Sequence, residues 1–151
     1  MGFDIQEFKF TILGKAKAKQ SVKFGINGIK YTPKDMVDYA NWVKLSFMEK
    51  YPKHNPTTLN DSNFLEIEIK VYMQYPKSFS KKKVKLAEAG IVKPTVKPDW
   101  DNISKNICDA LNGVAYIDDK NIAKGSVEKI YSDFDKTDVV LKAYKWTEQK
   151  V

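Results

Sequence analysis

Residues 97–119 read KPDWDNISKNICDALNGVAYIDD and gather most of the side chains in this sequence that can do chemistry. Asp99 and Asp101 flank Trp100 just ahead of an apolar-periodic stretch, and Asp118 and Asp119 follow it. In extended chain, residues two apart point to the same side, which sends both proximal carboxylates to one place. Asp101 also suits a helix cap, ahead of Asn102, Ile103 and Ser104. A helix followed by a returning strand brings the distal acid pair back beside the proximal one. Carboxylates gathered in this way repel one another and stay ionised only when a cation compensates. Oxygen ligands without His or Cys select magnesium or manganese rather than zinc. Such an ion can activate water and stabilise charge on a phosphodiester. Lys105 lies four residues after Asp101 on the same helix face, where it can pair with a carboxylate or stabilise a phosphate in the transition state.

Singly, each residue has a plainer reading. Asp101 is a helix cap, Asp118-Asp119 a polar turn, and Asp109 half of a helix-surface ion pair near Lys105. Trp100 is a packing residue, and Asn112-Gly113 ends a helix. Cys108 packs within the helix and has no activating His. A proximal acid pair, an in-phase lysine and a distal acid pair on a basic chain together shift the balance toward metal-dependent cleavage of nucleic acid. Cys108 is the sole cysteine and His54 the sole histidine. An internal disulfide, a cysteine-rich zinc site and a metal-binding His pair are thereby excluded. Pro52 and Pro56 around His54 suggest a surface turn.

The elements that must position these residues follow from periodicity. Phe8, Phe10 and Ile12 alternate with Glu7, Lys9 and Thr11, which predicts a strand over 5–13 ended by Gly14. Residues 15–31 are basic and glycine-punctuated, a long loop or irregular hairpin. Thr32-Pro33-Lys34-Asp35 is a helix start, and Met36, Tyr39, Ala40, Val43 and Phe47 continue at helical spacing to about Lys50. Leu65, Ile67, Ile69 and Val71 alternate with Glu66, Glu68 and Lys70, a strand with one buried and one wet face closed by Tyr75-Pro76. Residues 79–89 read as a short basic helix ending at Gly90, and Pro94 and Pro98 keep the next segment extended. A helix from near Asp101 buries Ile103, Ile107, Ala110 and Leu111, and residues 122–131 and 138–146 form two final strands. The expected fold is α+β, or mixed α/β: one domain over residues 1–151, with helices packed on a mixed sheet.

With 151 residues, 42% hydrophobic and 30% charged, the chain has the composition of one globular domain. No stretch approaches the roughly 20 apolar residues of a membrane span. The start of the chain does not read as a signal peptide, so a cytoplasmic location is the expectation. Net charge is +7, and all 26 basic residues are lysines. Residues 9–34 carry seven lysines and no acid, and residues 77–97 carry seven lysines against Glu88. Two concentrated basic segments fit a polyanion such as nucleic acid, although a solvated lysine-rich surface explains the same composition. Lysine acts as a point charge on phosphate more than as a bidentate reader of bases, which favours recognition of backbone shape.

The run resembles the RusA family of Holliday junction resolvases. The matching residues are Lys97-Pro98-Asp99, Asp101-Asn102, Lys105, Asp109-Ala110-Leu111, Asn112-Gly113 and Asp118-Asp119, about a sixth of the chain. The resemblance implies a bacterial or prophage-encoded homodimer that binds four-way DNA junctions. It also implies paired symmetric nicks made with Mg2+, for which Mn2+ can substitute. By motif position, Asp99, Asp101 and Asp119 look like the metal-binding catalytic carboxylates, joined by Asp118, and Lys105 like the active-site lysine. Asn102 takes a position suited to helix-start hydrogen bonding or DNA contact. Some members carry an arginine-rich stretch before the first Asp; here Lys93, Lys97 and two prolines stand there. Lys17 and Lys19, with Lys81, Lys82 and Lys83, are the further candidates for phosphate contact. Two other readings compete: a nucleic-acid-binding module without catalysis, and a magnesium phosphohydrolase acting on nucleotides.

Overall fold

The computed structural model describes residues 2–17, 23–24, 30–31 and 34–148. Four strands form one mixed sheet: β1 (Gly2–Leu13), β4 (Phe64–Gln74), β5 (Ile122–Ser132) and β6 (Lys136–Thr147). Their spatial order is β1-β6-β4-β5, with β6 antiparallel to both neighbours and β4 parallel to β5. The parallel pair requires a long crossover, and residues 75–121 supply it with two helices, α2 (Lys81–Glu88) and α3 (Trp100–Leu111). A third helix, α1 (Lys34–Lys50), connects the first part of the chain to β4. Between β1 and α1, β2 (Lys23–Phe24) and β3 (Lys30–Tyr31) pair antiparallel, so the basic glycine-punctuated stretch contains a short hairpin. The capping residues Thr32 and Pro33, and the candidate DNA-contacting Lys19, lie outside the described residues.

Period-two patterning sets one sheet face. Phe8 and Phe10 of β1 stand opposite Leu141 and Val139 of β6, which in turn stand opposite Ile67 and Ile69 of β4. All six side chains are buried, and the face is roofed by Tyr39, Val43 and Phe47 of α1 and by Ile103, Ile107 and Leu111 of α3. Each such burial contributes about 1.5–3 kcal/mol before ordering costs. The other face carries charge: Glu66, although buried, meets Lys124 at 3.4 Å and Lys142 at 3.8 Å, and Glu68 meets Lys142 at 3.5 Å. The mixed α+β expectation therefore holds, with β4 showing the anticipated apolar and charged faces.

His54 does more than occupy a surface turn. Its ring packs edge-on against Phe8 (4.7 Å between centroids) and Phe47 (5.5 Å). Its Nε2 lies 2.8 Å from the carbonyl oxygen of Ala115, so the ring donates there and joins the turn after α1 to the segment after α3. Among the described residues no helix is long and apolar enough to cross a membrane.

Candidate active site

The carboxylate helix begins one residue earlier than its sequence suggests. Asp99 holds the cap position in extended conformation (φ −68°, ψ 150°), and its carbonyl accepts from the Ile103 N–H at 3.0 Å. Its side chain makes no capping bond and is exposed, which leaves the carboxylate available. Asp101 lies inside the first turn and is not the cap. The same-side alternation expected of an extended Asp-Trp-Asp therefore does not apply, because Trp100 is already helical. Asp99 and Asp101 both sit at the positive end of α3, where negative charge is favoured.

What α3 presents instead is a stripe. Asp101, Ser104, Lys105 and Cys108 follow the i, i+3, i+4, i+7 rule and line one cleft of about 300 Å3. Trp100, Ile67, Ile122 and Gly125 complete its walls together with Asp119. Trp100 is 56% exposed, and its indole N–H donates to the Val127 carbonyl at 2.8 Å. It is therefore a fixed wall of the cleft and not a core packing residue.

Asp119 arrives by a tight return and not by a strand. Gly113 adopts φ 75°, in the left-handed region, and its N–H donates to Tyr116 O at 2.7 Å. Tyr116 is fully buried, and its hydroxyl donates to the Cys108 carbonyl at 2.8 Å, which packs the return against α3. A single 3-10 turn, Asp119–Asn121, then leads into β5. Two side chains hold this turn: Asn112 Oδ1 accepts the Asp119 N–H at 2.9 Å, and Asp118 Oδ1 accepts the Lys120 N–H at 2.9 Å.

The electrostatics are those of crowded carboxylates. Burial pushes the Asp119 carboxyl above its ordinary range, and the neighbouring carboxyls of Asp118 and Asp109, both in hydrogen-bond contact with it, push further. Asp118 shifts the other way, lowered first by the Lys120 N–H and then by its contact with the Asp119 carboxyl. Burial raises the Cys108 thiol, which stays protonated and is no soft ligand.

The donor set around Asp101 and Asp119 is oxygen only, the chemistry of Mg2+ or Mn2+. Among the described residues no three acidic, His or Cys side chains form a ready cage. Mg2+ does not need one, because it usually keeps several waters and takes one or two carboxylates with substrate phosphates. The residues present fit that ion.

The remaining candidates divide. Lys105 is exposed on the α3 stripe beside Asp101, and Asn102 is half-buried in the first turn. Lys97 lines a separate cleft with Lys15 and Lys77. Lys93 is paired with Glu128 at 3.0 Å. On α2, Lys81, Lys82 and Lys83 are exposed, and the Lys83 ammonium lies 4.4 Å from the Phe79 ring centroid. The Lys17 carbonyl accepts from Asn106 Nδ2 at 2.7 Å, anchoring the start of the basic hairpin to α3.

Three further residues stand at this site. Asp109 continues the i+4 series from Asp101 through Lys105, and its carboxyl presses on that of Asp119. Asn112 both ends the helix and holds the Asp119 N–H. Lys129 carried no local signal. Its ammonium donates to the Val96 carbonyl and, at 3.0 Å, to the Pro98 carbonyl. Three consecutive β5 residues, Val127, Glu128 and Lys129, thus hold Trp100, Lys93 and the 96–98 backbone that leads into Asp99. Lys129→Met, which removes both bonds, should destabilise the protein by about 1–3 kcal/mol in chemical denaturation. No change in stability would mean that residues 96–98 hold themselves.

Residues 11–142 match the family described as endodeoxyribonuclease RusA. A Bacillus subtilis (strain 168) protein named Uncharacterized protein YqaN is 33% identical over 141 residues, which cover 89% of this chain and 94% of that protein.

Proposed function

Because the chain belongs to the RusA endodeoxyribonuclease family, we propose that it resolves four-way DNA junctions by paired symmetric nicks, as a divalent-metal-dependent homodimer. The observation that carries this reading is the convergence of Asp101, Lys105 and Asp119 on one cleft from two separate elements. Asp99, Asp101 and Asp119 are the proposed metal ligands, with Asp118 beside them. A bound Mg2+ or Mn2+ supplies Lewis acidity toward the phosphodiester and acidifies a water. The Lys105 ammonium supplies positive charge for the phosphate oxygens as negative charge builds. Trp100, held by its bond to Val127, walls the cleft, and Asn112 keeps the Asp119 backbone in register. Lys97, Lys93, Asn102, Lys17, Lys19 and the α2 lysines Lys81, Lys82 and Lys83 are the proposed DNA contacts. Two active sites related by a two-fold axis match the two equivalent strands of a symmetric junction.

The test is Mg2+-dependent cleavage of a synthetic mobile four-way junction beside linear duplex and single strand. Paired symmetric nicks in the junction alone are expected. Junction binding without a cut, in Mg2+ or Mn2+, would leave only a binding module. Equal cutting of all three substrates would remove the preference for branched DNA.

The raised Asp119 carboxyl carries a stability consequence. A carboxyl whose folded pKa lies above its unfolded value favours folding at low pH and loses that contribution as pH rises through the folded pKa. At neutral pH without metal, the Asp119 carboxyl by itself therefore opposes folding, while the lowered Asp118 carboxyl works in the other direction. Mg2+ should raise the melting temperature at pH 7.5 in proportion to the logarithm of its concentration once above Kd, and less at acid pH, where the site is protonated. Equal shifts at both pH values in a thermal melt would remove this account.

A further inference from the structure

A second cleft, of about 370 Å3, borders the first along the chain: Pro98 lines one and Trp100 lines the other. Two residues span at most about 7 Å, so the two clefts are neighbours on the scale of one or two nucleotides. The second cleft is built from three chain segments. Lys15 follows β1, Lys77 follows β4 and Lys97 precedes α3, and all three line it. Among the described residues none of these lysines takes part in an ion pair. The one acid in the lining, Asp135, is engaged by backbone: its Oδ1 accepts the Gln74 N–H at 2.9 Å, and its carbonyl accepts the Gly14 N–H at 3.1 Å. These two bonds lace β1 and β4 together behind the cleft. Apart from Gln74, the remaining surface is apolar and aromatic, from Ala16, Met73, Tyr75, Pro76 and Pro98. Tyr75 is itself braced by stacking on Tyr131, 6.2 Å between centroids.

Unneutralised cations beside an apolar, aromatic surface match neither a bare phosphate nor a hydrophobic peptide. They match a nucleotide, whose base needs a flat apolar partner and whose phosphates need positive charge. We propose that this cleft is a subsite for one unstacked nucleotide of the DNA strand, next to the phosphate that is cut. The proposal rests on the junction-cutting reading and supplies a physical source for its selectivity. A nucleotide at a branch point has already lost part of its stacking, whereas one inside linear duplex must be unstacked at a cost. Seating a nucleotide beside Pro98 therefore favours the branch.

The experiment measures the coupling between Tyr75 and the base. Junctions are prepared with an abasic site at each nucleotide flanking the cut in turn, and binding is measured in EDTA for the wild-type protein, Tyr75→Ala and Tyr75→Phe. At one position, Tyr75→Ala should weaken binding of the intact junction about tenfold, the scale of base–aromatic stacking, and leave the abasic junction unaffected. Tyr75→Phe should behave as wild type. Equal weakening of intact and abasic junctions at every position would overturn the subsite, as would equal weakening on linear duplex. Wild-type cleavage of the intact junction is run in parallel. Its failure would overturn the junction-cutting reading itself, whereas additive effects with cleavage intact would overturn only the subsite.

Discussion

Asp119→Asn should reduce junction cleavage on the order of a thousandfold, the scale on which one charge-stabilising group at a reacting phosphate acts, while binding persists. The substitution keeps the shape of the side chain, and the bond from the residue-119 N–H to Asn112 Oδ1 does not depend on the carboxylate. The turn into β5 therefore stays in place. What changes is charge: the group that crowds Asp118 and Asp109 becomes neutral. The metal-free variant should consequently melt slightly higher than wild type at neutral pH, and its melting temperature should no longer respond to Mg2+. Loss of activity with gain of stability is the signature of a functional carboxylate and cannot come from a damaged fold. Single-turnover cleavage and thermal melts of the same preparations check both halves. Full activity in the variant would remove Asp119 from the machinery, and loss of activity with lowered stability would leave its role structural.

Phe47→Ala should destabilise the protein by about 3–5 kcal/mol, the range for removing a buried aromatic ring. Phe47 is 1% exposed and lies at the centre of a ring cluster, 5.3 Å from Phe10, 5.2 Å from Tyr51 and 6.0 Å from Phe8 between centroids. It clamps α1 to β1, and the same cluster seats His54, whose Nε2 holds Ala115 in the return leading to Asp118 and Asp119. The expected fall in melting temperature is on the order of 10 °C for a chain of this size. Leu45→Ala on the same helix, at a residue 56% exposed, should change stability by no more than about 0.5 kcal/mol. A small effect at Phe47 in chemical denaturation would show that the cluster repacks around the void.

Much of this protein is local and could be read along the chain. The alternation in β1 and β4, the apolar face of α3, the helix stop at Asn112-Gly113 and the i+4 relation of Asp101 to Lys105 each depend on residues within a turn or two of one another. Ser80 caps α2 and Gly90, at φ 76°, follows its end for the same local reasons. The order of acids and lysine in residues 97–119 likewise pointed to the family, because that order survives without knowledge of where the chain goes next. Partner choice between distant segments was not legible. Nothing near β1 specifies that it pairs with β6, nor near β4 that β5 lies parallel beside it, because a strand edge accepts any complementary strand and the choice is made by the whole core. The site inherits that dependence. Asp119 meets the Asp101 stripe only because Tyr116 packs under α3 and the chain re-enters the sheet next to Ile67. Lys129, thirty residues beyond Asp99 in sequence, reaches the 96–98 backbone only because β5 occupies the sheet edge. The amino-acid sequence by itself determined which groups are available for chemistry. The tertiary structure decided which of them share a cleft, since proximity between remote residues comes from packing a common core and leaves no period or spacing in the chain.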